Sequence, residues 1–288
     1  MRAFLLSTAA ALLTVAAPAF AQDVSTPDPV PVTPDPADGD NRSLLIGVGV
    51  GYVPTYEGSD SSRIVPVPQA RASYDGYTFS TRGTKLLFDV VPNDPGPVWD
   101  YQFGPVVSLN FNRTGDPKND RVDALGRKKV ALELGGYAGV GKTGVITSDY
   151  DKLSVSVVYV QDVSGIHDSF TITPQIDYGT PLSRKAFVGL SGSATYAGNG
   201  YANSYFGITQ LQANRSGLRG YDPDAGWKNW SLSAFAAYSL TGDLLHGLQL
   251  VGGVNYSRLI NDFGRSPIVS DVGSRNQWSY ALGLGYSF

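Results

Sequence analysis

The stretch QWSYALGLGYSF, residues 277–288, decides the fold. Trp278, Tyr280, Leu282, Leu284, Tyr286 and Phe288 are large and apolar, while Ser279, Ala281, Gly283, Gly285 and Ser287 between them are small. A period of two puts one set on each face of an extended strand. The pattern recurs upstream. Leu44, Ile46, Val48, Val50 and Tyr52 alternate with Leu45, Gly47, Gly49 and Gly51. Similar runs occupy Phe103 to Phe111, Phe170 to Tyr178, Trp230 to Leu240 and Leu248 to Tyr256.

Strands with one apolar face build either a sandwich, which buries that face, or a membrane barrel, which turns it to lipid. Three features favour the barrel. Aromatic residues such as Tyr52, Phe103, Phe111, Phe170, Tyr178, Trp230, Tyr238 and Tyr256 sit at strand ends, where interfacial girdles lie. The opposite face is rich in Gly, Ser, Thr, Asn and Gln, which suits a lumen. Connections alternate between short (148–150, 181–184, 241–245) and long (112–129, 198–228, 260–275), the habit of outer-membrane barrels.

The strands expected are 43–54, 62–75, 99–112, 130–146, 151–163, 169–180, 185–197, 228–240, 247–260 and 276–288. The stretch 77–91 supplies a further hairpin turning at Arg82-Gly83-Thr84. The expectation is an all-β, transmembrane, antiparallel up-and-down barrel of about twelve strands, with ten or fourteen as the alternatives. Both termini on the periplasmic side require an even number. In lipid no strand edge can stay unpaired, so the last strand must meet the first. The terminal run, with Tyr286 and Phe288, then doubles as a signal for the barrel-assembly machinery.

Composition agrees. The 288 residues include 34 Gly and 17 Tyr, only 16% are charged, and Cys is absent, which removes disulfides, thiol chemistry and Cys-bound metal. A net charge of −3 argues against nucleic acid as a partner. Residues 1–21 read as a signal peptide, with Arg2, an apolar run over 4–17 and Ala19-Phe20-Ala21 as cleavage site. Residues 22–42, rich in Pro and Asp, read as a disordered periplasmic tether, and 43–288 as the barrel.

Catalytic chemistry finds little footing. Ser164-Gly165-Ile166-His167-Asp168-Ser169 holds the residue types of a hydrolytic triad, but in a tight turn rather than on a rigid wall. His246 is isolated, and two histidines alone make no zinc site. Gly139, Gly141 and Gly144 match a dinucleotide fingerprint only formally, since no helix follows. Asp116, Asp120 and Asp123 share a loop with Lys118, Arg121, Arg127, Lys128 and Lys129, read as a solvated loop whose cations meet lipopolysaccharide phosphates. No cofactor, metal or catalytic residue is expected. Ile208, Leu211 and Gln212 have helical spacing, so a short helix is expected after Phe206. Apolar Ile268 and Val269, in a polar loop, are expected to pack in the barrel mouth.

Three stretches resemble the MltA-interacting protein / OmpV family of outer-membrane proteins. The first is GYVPTYEGSD, with Pro54, Tyr56, Glu57, Gly58 and Ser59. The second is NSYFGIT, with Ser204, Tyr205, Phe206 and Gly207, followed by Ser216, Gly217 and Leu218, then Tyr221 and Gly226. The third is YSRLINDFGRSPIVSDVGSRNQ, with Ser266, Pro267, Ile268, Val269, Gly273 and Ser274. The resemblance implies a non-enzymatic scaffold in the outer membrane, joining a lytic transglycosylase to a penicillin-binding protein in peptidoglycan remodelling. The alternatives are a small-solute pore or a surface adhesin or stress receptor acting through its outer loops.

Overall fold

A computed structural model describes residues 42–92 and 99–288. The expected signal peptide and nearly all of the tether lie outside these residues. The described residues form twelve strands in one closed antiparallel barrel, each paired with its sequence neighbours and β1 paired with β12. The strands are β1 (Arg42–Pro54), β2 (Ser62–Tyr74), β3 (Tyr77–Arg82), β4 (Lys85–Asp89), β5 (Trp99–Asn110) and β6 (Ala131–Thr143). They continue as β7 (Lys152–Asp162), β8 (Phe170–Pro181), β9 (Ala186–Ala197), β10 (Gly226–Ser239), β11 (Gly247–Leu259) and β12 (Asn276–Ser287). The even number and the 77–91 hairpin agree with the sequence. Five short helices decorate one rim: α1 (Asp120–Asp123), α2 (Asn199–Phe206), α3 (Gln210–Ser216), α4 (Asn261–Arg265) and α5 (Pro267–Ser270). Among the described residues no helix is long and apolar enough to cross a membrane.

The alternation does what period two requires. Val48, Val50, Leu282 and Leu284 point outward and are exposed, in a band that suits lipid. Aromatic rings edge this band. Trp230, Tyr256, Trp278 and Tyr280 form a chain with centroids 5.4, 4.8 and 6.2 Å apart. Tyr159, Phe170, Tyr196 and Trp227 continue it at 5.8, 6.4 and 5.7 Å.

Closure runs through the stretch that opened the sequence reading. Leu45 pairs with Ser287, and the register continues to Tyr52 opposite Tyr280. Inside the barrel this seam is nearly bare: Gly47 faces Gly285, Gly49 faces Gly283 and Gly51 faces Ala281. A Cβ on Gly49 would lie 2.5 Å from the Leu282 carbonyl oxygen. Glycine at this position lets the first and last strands approach to bonding distance.

The lumen face is less uniformly polar than its Gly, Ser, Thr, Asn and Gln content suggests. Leu87, Val106, Tyr137, Val158 and Val160 form a buried inward cluster. Phe187, Phe235, Ala237 and Leu244 form another, beside Val251. Lys152 of β7 pairs with Asp100 of β5. A narrow barrel fills its interior with side chains, so inward positions take apolar and paired charged residues rather than small polar ones alone.

The seam is testable. Gly49→Val should cost about 1–3 kcal/mol through overpacking, read as a lower temperature for loss of the folded barrel's fast gel mobility. The outward change Val48→Leu should leave that temperature nearly unchanged.

Candidate functional site: a lid of loops across one rim

The long connections meet over one end of the barrel. Their apolar residues form one buried cluster that includes Tyr56, Val122, Leu125, Tyr201, Tyr205, Phe206, Ile208, Leu218, Phe263, Ile268 and Val269. Tyr56, Tyr205, Phe206 and Phe263 are wholly buried. Phe206 meets Phe263 edge-on at 5.1 Å, and Tyr201 meets Tyr205 at 4.8 Å. Loops rarely bury so much, because their backbone groups then need partners.

Those partners come from the family-like stretches themselves. Tyr56 donates its hydroxyl to the Ile268 carbonyl at 3.1 Å. Thr55 Oγ1 donates to the Pro117 carbonyl and shares a 2.7 Å hydrogen bond with Ser59 Oγ. Gly58 N donates to Gln277 Oε1, and the Gly58 carbonyl accepts from Ser274 N at 2.7 Å. Gly58 has φ +98°, and a Cβ there would collide with Val269. Ser266 Oγ donates to the Phe206 carbonyl at 2.6 Å. Ser204 Oγ donates to the Ile166 carbonyl at 3.0 Å. The structure thus gathers stretches near residues 54–59, 204–207, 216–218 and 266–274 into one assembly.

The helices follow local rules. The expected helix is α3, opened by a capping box between Thr209 and Gln212. Helix α2 precedes it and was not expected. Its sequence, NGYANSYF, opens on Asn and Gly and lacks a side-chain cap, and burial of Tyr201, Ala202, Tyr205 and Phe206 holds it in place.

Beneath the apolar cluster lie paired charges. Lys228 Nζ donates to Glu57 Oε1 at 2.5 Å and to Tyr201 Oη at 3.1 Å. Tyr201 Oη donates to Glu57 Oε2 at 2.8 Å, and Asn112 Nδ2 donates to the same oxygen at 3.1 Å. Lys228 is only 3% exposed. A register shift between Trp227 and Asn229 aims it inward, the usual work of a β-bulge. Arg113, also buried, donates to the carbonyls of Tyr205 and Gly126. Burial pushes its guanidinium down to about 10, so it stays charged at neutral pH. Burial, then Glu133 and Glu57, pushes the Tyr205 phenol up, so it stays neutral.

Three sequence readings look different here. His167 is 4% exposed, with Nε2 3.1 Å from Glu133 Oε1 and its ring against Tyr201 and Tyr205. It is a packed member of the lid floor. The loop over 112–129 is less solvated than expected: Val122 and Leu125 enter the cluster. Arg121 donates to the Ser216 and Gly217 carbonyls, and Lys118 to the Ser62 carbonyl. These two cations clasp the lid rather than stand free. Arg127 instead pairs with exposed Asp123. Lys228 was missed, although Trp227 and Trp230, three apart in a period-two strand, signal the bulge. Among the described residues no group of acids and histidines is placed to hold a metal.

The opposite rim carries short turns. The β6–β7 turn is tied by Asp151, wholly buried, whose carboxylate accepts from the amides of Val145, Ile146 and Thr147 at 2.6, 2.8 and 2.5 Å. Tyr178 Oη adds a fourth hydrogen bond at 3.0 Å. Burial raises this carboxyl, but the donors outweigh it and hold it well below the usual carboxylate range. The turn leaves Val145, Ile146 and Tyr150 exposed.

Glu57→Gln or Lys228→Met should each cost about 3–5 kcal/mol, because the partner is left buried and uncompensated. The double change should cost less than the sum, as measured by urea unfolding of the refolded barrel. Asp151→Asn should cost about 1.5–3 kcal/mol at neutral pH. Because the folded carboxyl is depressed, that penalty is full above the unfolded value of about 3.9 and fades as pH falls through the folded one. Unfolding curves across that window read the sign.

A family model described as MltA-interacting protein MipA matches residues 46–288. The MltA-interacting protein of Escherichia coli (strain K12) is 30% identical over 84 residues, which is 29% of this chain and 30% of that relative. The MltA-interacting protein of Shigella flexneri gives the same figures. The matched region spans under a third of these relatives' length. Among solved structures, an outer membrane channel from Pseudomonas putida F1 is similar at 13% identity, with 88% of this chain and 99% of that one covered and a TM-score of 0.43. The outer membrane protein OprD from Pseudomonas aeruginosa follows at 12% identity, 85% and 65% coverage and a TM-score of 0.37. At such scores these structures say nothing about function. The family match takes in all but the first residues of β1 and every strand after it, and the chain belongs to the MltA-interacting protein MipA family.

Proposed function

We propose that this outer-membrane barrel is a non-enzymatic anchor that holds a lytic transglycosylase, and through it a murein synthase such as a penicillin-binding protein, at the membrane. The turn rim faces the periplasm in this reading, together with both ends of the barrel segment. The relatives' name supports the first partner. The observation that carries the reading is the Asp151-tied turn: a rigid connection that exposes Val145, Ile146 and Tyr150 at the rim, with exposed Leu182 on the β8–β9 turn. Tyr150 is of a type that interface hot spots favour, and holding the turn in place beforehand lowers the ordering cost of binding. Thr147 Oγ1 shares hydrogen bonds with Tyr178 Oη at 2.6 Å and Thr180 Oγ1 at 3.2 Å, which joins the turn to β8.

The lid fits the same reading. Wholly buried Tyr56, Tyr205, Phe206 and Phe263 pack the loop end, which supports an anchor over an open pore. The loop end then serves to stiffen the barrel, and the periplasmic rim does the binding. Lipopolysaccharide meets only the lid's outer surface.

Capture of a purified lytic transglycosylase by the refolded barrel is the test. Ile146→Asp and Tyr150→Asp should each weaken capture at least about tenfold, equivalent to about 1.4 kcal/mol. Glu57→Gln, at the other end, should leave capture unchanged wherever the barrel still folds. Equal capture by all variants would overturn the turn as docking site, and no capture by the parent protein would overturn the anchor.

A further inference from the structure

The barrel wall is incomplete on one side. β2 pairs with β1 along its whole length, from Arg42↔Tyr74 to Pro54↔Ser62. It pairs with β3 only from Tyr74↔Tyr77 to Arg71↔Ser80. Hairpin β3–β4 then turns back at Arg82↔Lys85, and β4 joins β5 over Lys85↔Ser108 to Leu87↔Val106. Among the described residues, 62–70 of β2 therefore have a strand on one side only. At the hairpin tip, β2 and β5 are three strand spacings apart, roughly 14 Å. Across the top the gap is bridged by the loop after β5, where Lys118 reaches the Ser62 carbonyl and Thr55 reaches the Pro117 carbonyl. The result is a window.

The window's edge has the chemistry of a surface that meets lipid. Ala70 turns its backbone toward β3, where Thr81 Oγ1 accepts from its N–H at 3.0 Å and donates to its carbonyl at 3.3 Å. By the alternation of an antiparallel strand, residues 68, 66 and 64 turn the same way. Two of these are Pro68 and Pro66, which have no N–H to leave unpaired. An orphan N–H in hydrocarbon costs several kcal/mol, and proline removes it. The depth agrees: Pro68 and Pro66 stand opposite Val48 and Val50, which are 67% and 57% exposed in the outer apolar band.

Behind the window lies a cavity lined in part by Val67, Gln69, Thr81, Phe235, Val251 and Ala281. It shares Gln69, Phe235 and Val251 with a second cavity nearer the turn rim, where Leu45, Phe187 and Leu244 continue the apolar wall and Arg71 and Gln249 add a polar end. Apolar walls facing water in a lumen are unfavourable, and a hydrocarbon occupant relieves them. Lid residues pack over the loop end, while the side window faces the bilayer.

We infer that this window and cavity form a lateral site that takes a single fatty acyl chain from the surrounding bilayer into the barrel. Nothing in the anchoring role requires it, and it stands independently of that role. The test uses the full barrel in liposomes doped with a phospholipid carrying a diazirine on one acyl chain. After irradiation, mass spectrometry locates the adducts. Adducts are expected on the inward residues Val67, Phe235 or Val251 as well as on outward Val50 and Leu232, which are exposed and lie outside the cavity. Ala281→Trp, which fills the cavity, should cut the inward adducts about tenfold, or about 1.4 kcal/mol, and leave the outward ones unchanged. Gln69→Trp gives the same reading should Ala281→Trp fail to show folded-barrel mobility. Adducts confined to outward residues would overturn the site. Inward adducts insensitive to both tryptophans would overturn this cavity as their location.

Discussion

Hydrocarbon offers the backbone no hydrogen bonds, and this constraint shapes the whole molecule. It forces β1 onto β12, and it explains why the seam between them is made of glycine. Gly49 and Gly283 stand face to face, and a side chain on Gly49 would meet the partner's backbone first. Where pairing fails, along the upper half of β2, the same constraint selects Pro66 and Pro68 and sets Thr81 to serve Ala70. Closure and its one interruption are two answers to the same demand.

The rims face different demands. At one, loops long enough to cross the mouth bury their aromatic residues against each other and give buried polar groups partners: Lys228 with Glu57, His167 with Glu133, Arg113 with two carbonyls. At the other, the connections are short and bury little apolar surface, Leu244 of the β10–β11 turn being an exception. Asp151 substitutes for a hydrophobic core there, gathering three amides and a phenol around one carboxylate. One end is stabilised by exclusion of water, the other by local hydrogen bonding.

The strands were legible because lipid and lumen impose opposite preferences on alternate residues, and period two survives in almost every segment. Even the short β3–β4 hairpin showed in parity and in its Arg-Gly-Thr turn. The lid was legible only in part. Ile268 and Val269 stood out as apolar residues in polar company, and they are buried. Tyr201 and Glu133 did not stand out, and His167 stood out only as a triad candidate, since their meeting depends on how strands far apart in sequence close into a ring. Lys228 was hidden in what read as a loop end, because a bulge shifts the alternation by one. Proline at 66 and 68 went unread for the same kind of reason: its meaning depends on which neighbour β2 lacks.

The lid's bonds also carry a consequence for the order of events in folding. Tyr56 to Ile268 spans 212 residues of chain, and Gly58 to Gln277 spans 219. Contacts so distant in sequence are slow to form, and these two join the loop after β1 to α5 and to the start of β12. Neither can form until the two ends of the barrel have been brought side by side. The cap is therefore the last part to consolidate, and burial of the Tyr56 ring is a built-in marker that the cylinder has been completed.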